Sequence, residues 1–114
     1  MKIALCQINP ILGNFNYNYN KILEFYKKSV QSDADVVVFP ELAITGYPPQ
    51  DLIWEDGFVA NNLEIITRLS SSSSVPLIIG YIRRDVDNFY NSAAVCYNGR
   101  LQSYVDKILL PTYD

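Results

Sequence analysis

Apolar residues along the chain fall into two kinds of stretch. Short, nearly unbroken runs recur in Lys2–Gln7 (KIALCQ), Val36–Phe39 (VVVF) and Val75–Gly80 (VPLIIG). Runs without polar alternation suit strands buried on both faces, as in a parallel sheet. Between them the period changes. Tyr19, Ile22, Leu23, Tyr26 and Val30 recur at spacings of three and four, with Lys21, Glu24, Lys27 and Lys28 interspersed. That pattern predicts an amphipathic helix ending near Ser32. A second helix is predicted over Gly57–Leu69, with Phe58, Asn62, Ile65, Ile66 and Leu69 near one face.

The last third reads as a hairpin. Tyr90–Tyr97 and Arg100–Lys107 are strand-like and are joined by Asn98-Gly99, which suits a type I′ turn because both central residues take positive φ. Residues 43–57, with Gly46, Pro48-Pro49 and Gly57, read as a long loop, and the serine run Ser70–Ser74 as a surface connection rather than a domain linker. The order β-α-β-α-β followed by a hairpin belongs to the α/β class, with helices packed on a parallel or mixed sheet.

Composition narrows the chemistry. With 114 residues, 49% hydrophobic and 18% charged, the chain has the size and make-up of one soluble globular domain. A net charge of -3 argues against nucleic acid or an anionic membrane as partner, since both call for a basic face. No apolar run approaches the ~20 residues of a membrane span. The opening MKIALCQINP reads as a first strand and not a signal peptide. A cytoplasmic location is therefore expected, with Cys6 and Cys96 as reduced, buried structural thiols. Histidine is absent. That excludes histidine relays within the chain, removes the commonest zinc ligand, and leaves Asp, Glu, Lys and Tyr as proton carriers. Gly13, Gly46 and Gly80 lack a phosphate-cradling spacing, so no nucleotide site or metal is expected here.

Two charges adjoin apolar runs at strand ends, where open α/β sheets bind ligands. Glu41 follows Val36–Phe39 and Pro40, and Lys107 precedes Ile108-Leu109-Leu110-Pro111. Facing each other, they could act as general base and oxyanion-supporting cation. Periodicity cannot show that the two meet, and composition alone favours reading each as a surface charge at a strand end. Tyr47 and Tyr113 flank the same regions, among nine tyrosines most of which serve packing.

The stretches MKIALCQINPILGNF, VVVFPELAITGYPPQDL, YNSAAVCYNGR and YVDKILLPTYD resemble the nitrilase, or carbon-nitrogen hydrolase, superfamily. TGYPPQDL and LPTY are similar to the branch formed by the glutaminase domains of glutamine-dependent NAD+ synthetases. The resemblance implies an αββα sandwich, of which residues 1–114 would be the N-terminal half, a partial glutaminase domain. It implies a Glu-Lys-Cys triad, with Glu41 as base, Lys107 supporting the tetrahedral intermediate, and Tyr47 and Tyr113 at the glutamine pocket. The nucleophilic cysteine has no counterpart in this chain, and the synthetase domain, to which ATP and magnesium would belong, is absent too. The segment is accordingly expected to be inactive alone and to need a complementary C-terminal chain or a homo-oligomer. Another nitrilase-family amidase of small amides, or a non-catalytic assembly fragment or gene-decay remnant, are the alternatives.

Overall fold

A computed structural model of the chain describes residues 1–86 and 88–107. Five strands, β1 (Ile3–Leu5), β2 (Val36–Val38), β3 (Leu77–Asp85), β4 (Asn88–Tyr97) and β5 (Arg100–Asp106), lie side by side in chain order. The first three are parallel to one another, and β4 and β5 are antiparallel additions. Helices α1 (Phe15–Gln31) and α2 (Phe58–Ser71) make the two crossovers. Crossovers of one hand between successive neighbouring strands carry both helices to the same face. There Ile22 and Tyr26 of α1 and Ile65, Ile66 and Leu69 of α2 pack on Val37, Leu77, Ile79, Ala94 and Cys96.

Side chains alternate along a strand, so the other face is also determined. It presents Ile3, Leu5 and Val105 to solvent, with Val36, Val38, Ile78 and Val95 half-buried among them. The chain is thus one helical layer on one sheet with an open apolar face, the architecture of half an αββα sandwich.

Three expectations shift. The third strand does not stop at Gly80 but runs on through Tyr81 to Asp85 and turns at Val86 into β4. Antiparallel pairing sustains a strand there that the charged Arg83-Arg84-Asp85 conceals. Residues 43–57 contain a short 3-10 helix, Gln50–Trp54. The serine run is no surface connection throughout: Ser70 and Ser71 complete α2, and Ser70 and Ser73 are buried. Their hydroxyls donate to carbonyls three residues earlier, at Thr67 and Ser70, which satisfies them without water. Asn98 and Gly99 take φ of 54° and 79°, as the hairpin turn requires.

Two buried asparagines join helices to backbone that no strand can reach. β2 pairs with β3 only at Leu77 and Ile78, which leaves the outward groups of Ile82 without a neighbouring strand. The Asn62 amide takes that place, donating to the Ile82 carbonyl at 2.7 Å and accepting from its N–H at 3.0 Å. Asn18 does the same for two loops, bonding Ile11 through both its N–H and its carbonyl and donating to the Ile44 carbonyl. Asn62→Ala, which strands two buried backbone groups, should lower stability by about 2–5 kcal/mol in urea unfolding. Thr67→Ala, on the exposed side of the same helix, should change it by less than ~0.5 kcal/mol. Equal effects of the two would contradict the role given to Asn62.

Candidate active site

The position of Glu41 follows from how β2 ends. Phe39 N–H still donates to Ile78 at 2.8 Å, and Gly80 N–H reaches the Pro40 carbonyl at 3.3 Å, so the chain hugs β3 up to the proline. It then turns sharply: Leu42 takes a φ of 50°, a left-handed conformation that costs a branched residue about 1–2 kcal/mol. Burial of Leu42 against Phe58, Val59 and Ile82 holds it there. The turn rests on Gly80. A Cβ at that position would lie 2.2 Å from Leu42 N and 2.8 Å from Glu41 Cα. Only a glycine lets β3 pass beneath the Glu41–Leu42 peptide.

Lys107 arrives from the opposite side of β4. Its N–H donates to the Asn91 carbonyl at 2.8 Å, which continues the β4–β5 ladder one step beyond Asp106. Its ammonium lies 3.1 Å from Glu41 Oε1. The Asn91 side-chain amide donates to the same oxygen. Phe39, Glu41, Gly80, Asn91, Val105 and Lys107 line a cleft of about 300 Å³ on the open face of the sheet. A larger hollow of about 630 Å³, between the start of α1 and α2, shares no residue with it.

Opposing effects set the state of Glu41. Partial burial pushes its carboxyl upward, but the hydrogen bonds from Lys107 and Asn91 and the ammonium charge outweigh this and hold it below the usual carboxylate range. Folding therefore gains stability from this group above its unfolded pKa and loses it as pH falls through the folded one. With 46% of its side chain exposed, the pair is screened by water.

Glu41 and Lys107 thus meet, across 66 positions of sequence. Asn91 is the residue that sequence reasoning missed; beside Ser92 in a strand that also begins with Asn88, nothing in its local sequence marks it out. Tyr47 lies half-exposed in the loop after Glu41 and is not among the residues lining the cleft. Tyr113 lies outside the described residues. Among the described residues no cysteine lines the cleft. Cys6 and Cys96 are free, buried thiols, and burial pushes Cys96 up to about 11. No described group of three or more His, Cys, Asp or Glu side chains could hold a metal, and no described helix is long and apolar enough to cross a membrane.

Residues 2–113 match the family model of the carbon-nitrogen hydrolases. The chain belongs to that family. Similar curated proteins are the glutamine-dependent NAD+ synthetases of Thermotoga maritima, 34% identical over 99% of this chain and 20% of that protein, and Xanthomonas campestris, 32% identical over 99% and 21%. The solved glutamine-dependent NAD+ synthetase of Acinetobacter baumannii superposes with a TM-score of 0.89 at 32% identity, over 98% of this chain and 22% of that one. An amidase from Nesterenkonia sp. shares the fold at a TM-score of 0.85 and 18% identity, over 96% of this chain and 43% of its own. The chain therefore spans about a fifth of the length of the curated relatives.

Gly80→Ala should force β3 and the Glu41 turn apart, lowering stability by about 1–3 kcal/mol. Backbone NMR shift changes should spread from position 80 to Glu41, Leu42 and Asn91. Changes confined to β3 would show that the turn does not rest on this glycine.

Proposed function

We propose that this chain supplies the base and the supporting cation of a glutamine-hydrolysing site within a glutamine-dependent NAD+ synthetase. The observation that carries the proposal is the convergence of Lys107 and Asn91 on one oxygen of Glu41, in a chain similar along 99% of its length to such synthetases. The thiol would come from a cysteine beyond those two in this chain. Glu41, whose Oε1 is held by both donors, would take the thiol proton on Oε2. The thiolate attacks the side-chain carboxamide carbon of glutamine, and Lys107 stabilises the oxyanion that forms. The proton returns from Glu41 to the leaving ammonia, and water then releases glutamate from the thioester.

The ammonia would serve to amidate the nicotinic acid dinucleotide at a separate synthetase module, where ATP and magnesium act. Tyr47 and Tyr113 are assigned to the glutamine pocket. The open apolar face would be covered by a complementary C-terminal chain or a second copy, and that cover, by excluding water, would raise Glu41 toward a better base. Without the thiol the chain alone would be inactive. The two free thiols accord with a cytoplasmic setting.

Ammonia release from glutamine, measured on the full-length protein and on the 114-residue chain, tests this. Turnover is expected in the former and none in the latter. Glu41→Gln in the full-length protein should lower kcat by about 10²–10⁴-fold with KM little changed. Near-normal turnover would remove Glu41 from the base role, and preference for a small aliphatic amide over glutamine would favour an amidase instead.

A further inference from the structure

The side of the hairpin away from the Glu41 cleft carries a charge cluster that the proposed chemistry leaves unused. Arg83 on β3 forms a two-pronged contact with Asp106 on β5, Nε to Oδ1 at 2.9 Å and Nη2 to Oδ2 at 2.6 Å. Strand β4 runs between them, and its Ser92 hydroxyl donates to Asp106 as well. The rings of Tyr90 and Tyr104 lie 4.6 and 4.3 Å from the guanidinium carbon. With side chains 17% and 29% exposed, this pair is more protected than the 41% and 44% of Lys21 and Glu24 on α1. A fork gripping both carboxylate oxygens fixes orientation as well as distance.

Its place in the sheet gives the cluster a consequence for the cleft. Ser92 and Asp106 are direct partners across β4 and β5, and they adjoin Asn91 and Lys107, whose side chains meet Glu41. Successive strand residues point to opposite faces, so gripping one pair from behind sets the other in front. A second consequence is electrostatic. An unpaired Asp106 would leave a negative charge one residue from Lys107, on the far face of the sheet, and that charge would oppose ionisation of Glu41.

We propose that Arg83 is a positioning residue for the Glu41 site: by neutralising Asp106 and fixing β5 on β4, it delivers the Lys107 ammonium and the Asn91 amide to Glu41. The role rests on the function proposed above for Glu41 and Lys107, but its geometry can be tested without turnover. The Glu41 carboxyl is titrated by carbon-13 NMR in the full chain, and kcat and KM are measured in the full-length protein.

Arg83→Met should move the Glu41 midpoint upward and lower kcat on the order of 10- to 100-fold with KM little altered. Arg83→Lys, which keeps the charge without the fork, should shift both less and serves if the methionine variant fails to fold. Adding Asp106→Asn to Arg83→Met should move the midpoint back toward wild type, because the opposing charge is gone. Tyr26→Phe, which loses a remote contact to Val75, should reduce stability without moving Glu41. A Glu41 midpoint unchanged in both Arg83 variants would overturn the proposal, as would a double variant shifted further than the single one. Failure of the wild type to release ammonia from glutamine would instead refute the functional reading, and the titration would still decide the role of Arg83.

Discussion

Everything at the Glu41 site depends on one close approach, that of Gly80 to the Glu41–Leu42 peptide. The backbone of β3 carries no side chain there, so the turn after β2 can settle on the sheet where any Cβ would meet Leu42 N at 2.2 Å. That contact sets the height of Glu41 above β4. Only from there can Asn91 and Lys107, placed by the β4–β5 hairpin, reach one carboxylate oxygen. The left-handed φ of Leu42 is the local cost of the arrangement, offset by burial of its side chain.

The scaffold around this contact is built so that little of it can slide. Asn62 holds β3 where β2 gives out, and Asn18 holds the loop that leaves the Glu41 turn at Ile44. Tyr26 reaches across to Val75 at the entry to β3, bonding both its carbonyl and its N–H. Each is a polar group inside an apolar layer, satisfied by backbone that would otherwise lie buried and unpaired. The helical face is thus packed and pinned by hydrogen bonds, whereas the opposite face exposes Ile3, Leu5 and Val105 as an apolar surface.

Much of this was legible from periodicity alone. The helix positions Ile22, Tyr26, Ile65, Ile66 and Leu69 all face the core, and the Asn98-Gly99 turn lies where the dipeptide predicts. What escaped were features in which tertiary contact outweighs local composition. Arg83-Arg84-Asp85 looks like a strand's end, yet pairing with β4 carries the strand through it. Ser70 and Ser73 look like loop, yet their hydroxyls are satisfied by the helix they end. Glu41 and Lys107 could be named as strand-end charges, but nothing in their spacing shows that they touch. Asn91 and the crowding at Gly80 become visible only when β2, β3 and β4 lie side by side.

The titration of the Glu41 carboxyl itself tests the central claim most directly, followed by carbon-13 NMR in the wild-type chain and in Lys107→Met. Burial and paired donors pull this group in opposite directions, and the sign of its displacement tells which prevails. The geometry predicts a wild-type midpoint below that of an unpaired, solvated glutamate and an upward move when the ammonium is removed. A midpoint above that value, or one that Lys107→Met leaves in place, would contradict the convergence of Lys107 and Asn91 on Glu41.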